Sequence, residues 1–348
     1  MRVPLKRTRF GLRSLFALIM LIAAILSWYG GRYQRACRHW EAECALRDAG
    51  ENVDRLTAST PSILDRLLFR DPLSVPLHVI ISQRGMLGRV TDLGNVRTLN
   101  IRTDSGVTDV DMPRLSGLAE LRELYVGPDR VGDAALEHIR GLDSLEHLWF
   151  RGRNVTSKGV MSLGSLPLIT DLGLSDTQID DSGVAYVCRW RTLESVALCG
   201  TKITDRCMGE WRRVPRLREL FLANNKLSDA GVACLAHVPM LERLDVSSTQ
   251  ITDDGLSYIT KLQHLRDLRL RGNRITDVGL AHLDSMESLW NLDLSDTDVT
   301  EAGVMRLVKS KSDGMIKLVN TRIGPDAVKR FHRENGAVRV FMYEPTTH

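Results

Sequence analysis

Apolar residues return along this chain at a fixed period. In "LERLDVSSTQITDDGLSYITKLQH", residues 241–264, Leu241, Leu244 and Val246 have the spacing of a short strand's buried side, and Leu256, Ile259 and Leu262 fall three apart, as on one face of a helix. Between them "SSTQ" supplies turn residues and Ile251 returns to the interior. Thr252 stands where a helix cap is wanted, and Asp253 lies in the first turn, where the helix dipole favours an anion. The pattern repeats at multiples of twenty-four: "SDTQIDDSGV" over 175–184, "SSTQITDDGL" over 247–256 and "SDTDVTEAGV" over 295–304. Units begin at 121, 145, 169, 193, 217, 241, 265 and 289, with a degenerate one at 313; an earlier copy from Val96 carries one extra residue between Ile101 and Val107. About ten units therefore run over 96–336.

The repetition is a physical necessity. A single unit has some seven aliphatic groups and no opposing layer, so it buries them only against its neighbours. At about 1.5 to 3 kcal/mol per fully buried aliphatic side chain, stacking is the leading favourable term. The prediction is an α/β solenoid with a parallel sheet on the inner curve and helices outside.

The consensus L-x-x-L-x-L-x-x-(T/N)-x-I-T-D-x-G-L-x-x-L-x-x-L resembles the leucine-rich repeat, in the T-x-I-T-D-x-G-L form seen in F-box/leucine-rich-repeat proteins and in many bacterial ones. That resemblance implies a curved horseshoe whose concave sheet binds other proteins. Two departures stand out. Only Asn225 and Asn273 keep the asparagine expected at the turn, and Thr177, Thr201, Thr249, Thr297 and Thr321 fill most other copies, where a hydroxyl makes a shorter version of the same bond. In "NTRIGPDAVKRF" Gly324 and Pro325 replace the Thr-Asp pair, and "AVRVFM" follows as a closing strand, which fits a C-terminal cap.

The other end of the chain has a different character. Residues 1–50 hold nine Lys/Arg and three Asp/Glu, which leaves −2 of the net +4 for everything beyond. A near-neutral body has no broad cationic face, which argues against a nucleic-acid partner. After the basic tail 1–13, residues 14–31 carry no charge and end in Trp28-Tyr29-Gly30-Gly31. Eighteen residues make about 27 Å of helix, enough to cross a bilayer core. The run lacks an A-x-A-like cleavage site, so an uncleaved signal anchor is expected, with a cleaved leader as its rival. The small basic excess before the run places the N-terminus in the cytoplasm and the repeats outside it. "RFGLR" before the run and "WYGGRYQR" after it resemble membrane-anchored leucine-rich-repeat proteins of planctomycete bacteria. A juxtamembrane amphipathic helix is predicted over 32–50, from Tyr33, Cys37, Trp40 and Cys44. An N-terminal capping region is predicted over 51–95, with a short helix at 60–69 and an apolar stretch at 77–81; residues 337–348 form a cap strand and tail.

Chemistry-bearing motifs are scarce. The six cysteines show no C-x-x-C or zinc-like spacing and read as free thiols. H-E-x-x-H, G-x-S-x-G and phosphate-binding glycine loops are all missing, and His138, His237, His264 and His282 are spread one per repeat. No cofactor, metal or catalysis is expected. The variable line is the residue between the second and third aliphatic positions: Asn100, Tyr125, Trp149, Gly173, Ala197, Phe221, Asp245, Arg269, Asp293, Lys317. Tyr125 and Trp149, flanked by Glu123, His147 and Arg151, have the composition of an interaction hot spot, unless the N-terminal cap covers them. Phe221, Arg269 and Arg271 extend the candidate surface, although Asp245, Arg269, Asp293 and Lys317 can also neutralise one another across strands. The expected partner is a protein, with a glycan or a peptide as the other ligands such a face would take. Rival functions are a substrate adaptor for ubiquitin ligation and a purely structural envelope protein.

Overall fold

The computed structural model describes residues 52–55, 77–93 and 95–342. The proposed anchor 14–31, the helices placed at 32–50 and 60–69 and the final tail lie outside the described residues. Among the described residues no helix is long and apolar enough to cross a membrane.

Among the described residues thirteen strands lie side by side in chain order in one unclosed sheet. They are β1 (Asn52–Arg55), β2 (Leu77–Ile81), β3 (Val96–Ile101), β4 (Glu123–Val126), β5 (His147–Phe150), β6 (Asp171–Gly173), β7 (Ser195–Ala197), β8 (Glu219–Phe221), β9 (Arg243–Asp245), β10 (Asp267–Arg269), β11 (Asn291–Asp293), β12 (Gly314–Lys317) and β13 (Val338–Phe341). β1 runs antiparallel to β2, and all later pairs are parallel. The register repeats the sequence period: Leu244 faces Leu268, which faces Leu292, which faces Ile316. The sheet also begins one parallel strand before Val96, because Leu77, Val79 and Ile81 with Leu87, Val90 and Leu93 bury as a shortened unit.

Each strand from β2 to β12 is followed by a turn and a short helical segment on the opposite side. In the unit from Leu241, Ile251, Leu256, Ile259 and Leu262 are all essentially inaccessible to solvent, as the apolar periodicity requires. The turn is held from within by threonine or asparagine. Thr249 donates to the carbonyl of Val246 at 2.7 Å, and Thr177 and Thr297 close their own turns in the same way. Asn225 and Asn273 reach further. Asn273 Nδ2 donates to Leu270 of its own turn at 3.0 Å and to Val246 of the preceding one at 2.8 Å, while its oxygen accepts from Thr249. Threonine therefore closes a turn, and asparagine also ties two together.

The T-D-x-G segment does more than start a helix. Asp229 accepts the backbone N–H of Thr252 at 2.8 Å and its hydroxyl at 2.6 Å, one unit downstream. Asp133, Asp181, Asp205, Asp253 and Asp277 grip Thr156, Thr204, Ser228, Thr276 and Thr300 likewise. The carboxylate occupies the space beside the next helix, and the glycine there leaves room for it. A Cβ on Gly255 would lie 2.3 Å from Asp229 Oδ1, and one on Gly159, Gly279 or Gly303 2.2 Å from the matching oxygen. Where Cys207 replaces that glycine, Asp181 still grips Thr204, and the segment Asp205–Arg213 winds as a 3₁₀ helix instead of an α-helix.

One unit exchanges donor and acceptor. Ser157 takes the acid's place and Asp180 the threonine's, and the hydroxyl of Ser157 donates to Asp180 at 2.6 Å while accepting the backbone N–H of Asp180 at 3.0 Å. Hydrogen bonds from Ser157 and Ser182 hold the Asp180 carboxyl below its ordinary value of 3.8, outweighing its partial burial.

Two outcomes test these contacts. Gly255→Ala is expected to destabilise the protein by about 1 to 3 kcal/mol in urea unfolding, because the methyl displaces a bonded carboxylate. Combined with Asp229→Ala, the loss should fall short of the sum of the two single losses by at least about 1 kcal/mol; additive losses would exclude the steric link. The contribution of Asp180 has a defined pH dependence. Its folded-state pKa is depressed, so its stabilisation is present above the ordinary value of 3.8 and is lost as pH falls through the lowered one. Asp180→Asn should therefore cost stability at pH 6 and much less at about pH 2.

Candidate functional site

The sheet face away from the helices divides into two chemically distinct halves. On β8 to β12 its charges are paired. Arg269 stands 3.8 Å from Asp245 and 3.6 Å from Asp267, with its guanidinium 6.0 Å from the ring centre of Phe221. Lys317 is 3.7 Å from Asp293, and Arg271 Nε donates to Asp296 at 2.7 Å. These partly exposed groups neutralise one another within the protein.

On β3 to β6 the face is aromatic and open. Tyr125 and Trp149 are register partners on β4 and β5, and Trp149 is 38% exposed. Burial, and then the carboxylates of Glu123 and Asp171, push the Tyr125 hydroxyl above its ordinary value. Gly173, the next residue along the ladder, decides where the indole goes. A Cβ at Gly173 would lie 2.2 Å from Trp149 Cε3, so the ring lies over β6 only because no side chain is there. Leaning that way, Trp149 leaves a slot of about 410 Å³ toward Tyr125, lined mainly by apolar surface and including Ile101, Gly127 and Phe150.

The turns beside the slot differ from the rest. Asp176, Gly200, Asn224, Ser248, Gly272, Asp296 and Asn320 all take the left-handed conformation at one repeat position, with φ from 52° to 69°. At the same position after β4 and β5 stand Pro128 and Gly152, neither of which does so. Proline's ring excludes a positive φ. β4 and β5 are also four residues long, against three for β6 to β11.

The sequence-derived candidates thus separate in space. Tyr125, Trp149 and Arg151 line the slot. His147 and Glu123 lie toward the strand starts, where His147 Nδ1 sits 3.0 Å from Asp171. Phe221, Arg269 and Arg271 are three or more strands beyond Trp149, at least about 14 Å away at normal strand spacing. Gly127, Gly173 and Arg102 escaped the sequence analysis. Gly173 stood in the variable ladder, but the absence of a side chain carries no chemical signal until its neighbour's ring is placed.

A second cleft of about 460 Å³ lies at the starts of β9 to β11, beside half-exposed Trp290, with Arg266, Asp267 and Glu287 in its wall. Charges of both signs line it. Among the described residues no three His, Cys, Asp or Glu side chains gather as metal ligands.

Two stretches match sequence families described as leucine rich repeat, residues 216–236 and 239–299. Among curated proteins nothing matches this sequence. Among solved structures, an internalin from Listeria monocytogenes superposes with a TM-score of 0.55 at 17% identity, covering 77% of this chain and 80% of its own. A second Listeria internalin, of the C2 type, gives 0.44 at 21% identity over 63% of this chain and 85% of its own. A leucine-rich-repeat protein from Leptospira interrogans gives 0.48 at 15% identity, over 73% and 68%. The last two scores are too low to add weight, and the first bears on fold alone.

Gly173→Ala tests the geometry of the slot. The methyl should push Trp149 back toward Tyr125, producing nuclear Overhauser contacts between the two rings, with stability changed by less than about 1 kcal/mol because the displaced ring is half exposed. An unmoved indole would show that Gly173 does not set its position.

Proposed function

We propose that this leucine-rich-repeat protein is a non-catalytic, membrane-anchored scaffold that captures a partner protein on the outward face of its sheet, at the Tyr125–Trp149 slot. The observation that carries the proposal is Trp149. A large aromatic side chain stands 38% exposed over a cleft, on a face whose other half is occupied by paired charges. Aromatic residues and arginine in a concave, partly desolvated setting are what protein-interaction hot spots are built from. The repeat fold supports the class of function, since its helix side is spent on stacking and its strand side is free. Residues 14–31 support the anchor: they are uncharged, follow five basic residues and are long enough for a bilayer core. The basic excess on the N-terminal side supports a cytoplasmic N-terminus with the repeats outside.

Full-length protein is expected to stay with membranes through carbonate extraction and to be released when residues 1–31 are deleted. A full chain found in the soluble fraction would remove the anchor. Trp149→Ala and Tyr125→Ala should each weaken capture of the partner about tenfold or more, in line with hot-spot truncations of about 1.4 kcal/mol and above, with the melting temperature unchanged. A drop of several degrees would make the two rings structural instead.

A further inference from the structure

The slot has charged lining of one sign. Arg102 and Arg151 both line it, and among the described residues no acidic side chain does. Each guanidinium is turned toward an aspartate outside the slot. Arg102 donates Nε and Nη2 to Asp104 at 3.1 and 3.2 Å, and Arg151 donates Nε and Nη2 to Asp176 at 3.0 and 2.8 Å. The Nη1 groups of both make no hydrogen bond among the described residues. Both ion pairs are at least half exposed, more so than Arg271–Asp296, the equivalent of Arg151–Asp176 five units on (41% and 28%), so they are weak and readily re-paired. Two aromatic walls and an apolar floor thus meet two guanidinium groups with donors to spare.

We infer that the slot takes an apolar side chain of a partner polypeptide, aromatic or leucine-like, with a carboxylate one or two residues away in the same segment. The side chain packs between Tyr125 and Trp149, and the carboxylate accepts hydrogen bonds from Arg102 and Arg151, the pairing that suits a planar guanidinium. This rests on the proposal that the sheet face binds a protein. The volume fits: about 410 Å³ lies near the lower end of the range for small-ligand sites and has room for one or two side chains. The lining is mainly apolar, and besides the two guanidinium groups its polar side chains are chiefly Asn100, Thr103, Tyr125 and Ser175, fewer than the many hydroxyls of a sugar chain call for.

The test is calorimetric titration of the full-length protein with acetylated, amidated tetrapeptides of sequence Gly-Phe-Asp-Gly, Gly-Phe-Asn-Gly and Gly-Gly-Asp-Gly, and with decanoate. The Phe-Asp peptide should bind at least about fivefold more tightly than either of the other two peptides, since each lacks one half of the match. Gly173→Ala should weaken it about tenfold by closing the slot. Arg102→Ala with Arg151→Ala should bring the Phe-Asp and Phe-Asn peptides to within about twofold of each other. Equal binding of the Phe-Asp and Phe-Asn peptides to the unmodified protein, no binding of the Phe-Asp peptide, or tighter competing binding of decanoate would each overturn the inference. If partner capture still depends on Trp149 in those cases, protein binding at the sheet face stands and only the chemistry of the occupant falls. If it does not, both fall.

Discussion

A carboxylate shared between neighbouring units holds this array in register. The first-turn aspartates Asp133, Asp181, Asp205, Asp229, Asp253 and Asp277 reach the next unit and take both the backbone N–H and the hydroxyl of its helix cap. The N–H groups at a helix start have no partner within the helix, so the bond relieves a cost that every unit would otherwise carry. The same carboxylate forbids a side chain beside it, which is why glycine stands three residues after the gripped cap residue, at Gly159, Gly231, Gly255, Gly279 and Gly303. Exceptions follow the same logic. Cys207 keeps the bond and its segment tightens to 3₁₀ geometry. Ala135 follows Gly132, which has no hydroxyl and gives Asp109 only its backbone N–H, at 2.8 Å.

These bonds and the aliphatic stripes commit the inward helix faces to stacking and leave the strand ladder free to vary. There two regimes coexist. From β8 onward, charges pair across adjacent strands and close the surface to demands for a partner. Around β4 and β5, the left-handed turn is lost at Pro128 and Gly152, Gly173 gives Trp149 somewhere to lean, and a cleft results. The functional proposal depends on that local break in an otherwise regular array.

The period of twenty-four residues made the fold legible: strand, turn and inward stripe in "LERLDVSSTQITDDGLSYI" stand where their residue types called for them, while Thr252 holds the cap position but gives its hydroxyl to Asp229 instead of capping the helix. The parallel register followed from the same period. The second role of Asp253 was hidden, because a bond to Thr276 twenty-three residues away exists only once the units stack. For the same reason the swap of Ser157 with Asp180 becomes visible only in the stacked units. At the candidate site, the aromatic pair was visible as a departure from the repeat, while its separation from Phe221, Arg269 and Arg271 needed strand positions. The slot depends on Gly173, a residue whose contribution is the space it leaves for the Trp149 ring.

The central claim is that partners meet the strand side at the slot and leave the helix side alone. It is tested most directly by photo-crosslinking in cells, with a benzophenone amino acid placed either at Ser175, in the slot lining, or at Val278, a helix residue 68% exposed. The account predicts a discrete crosslinked partner from Ser175 and none from Val278. A partner captured from Val278 and not from Ser175 would contradict it.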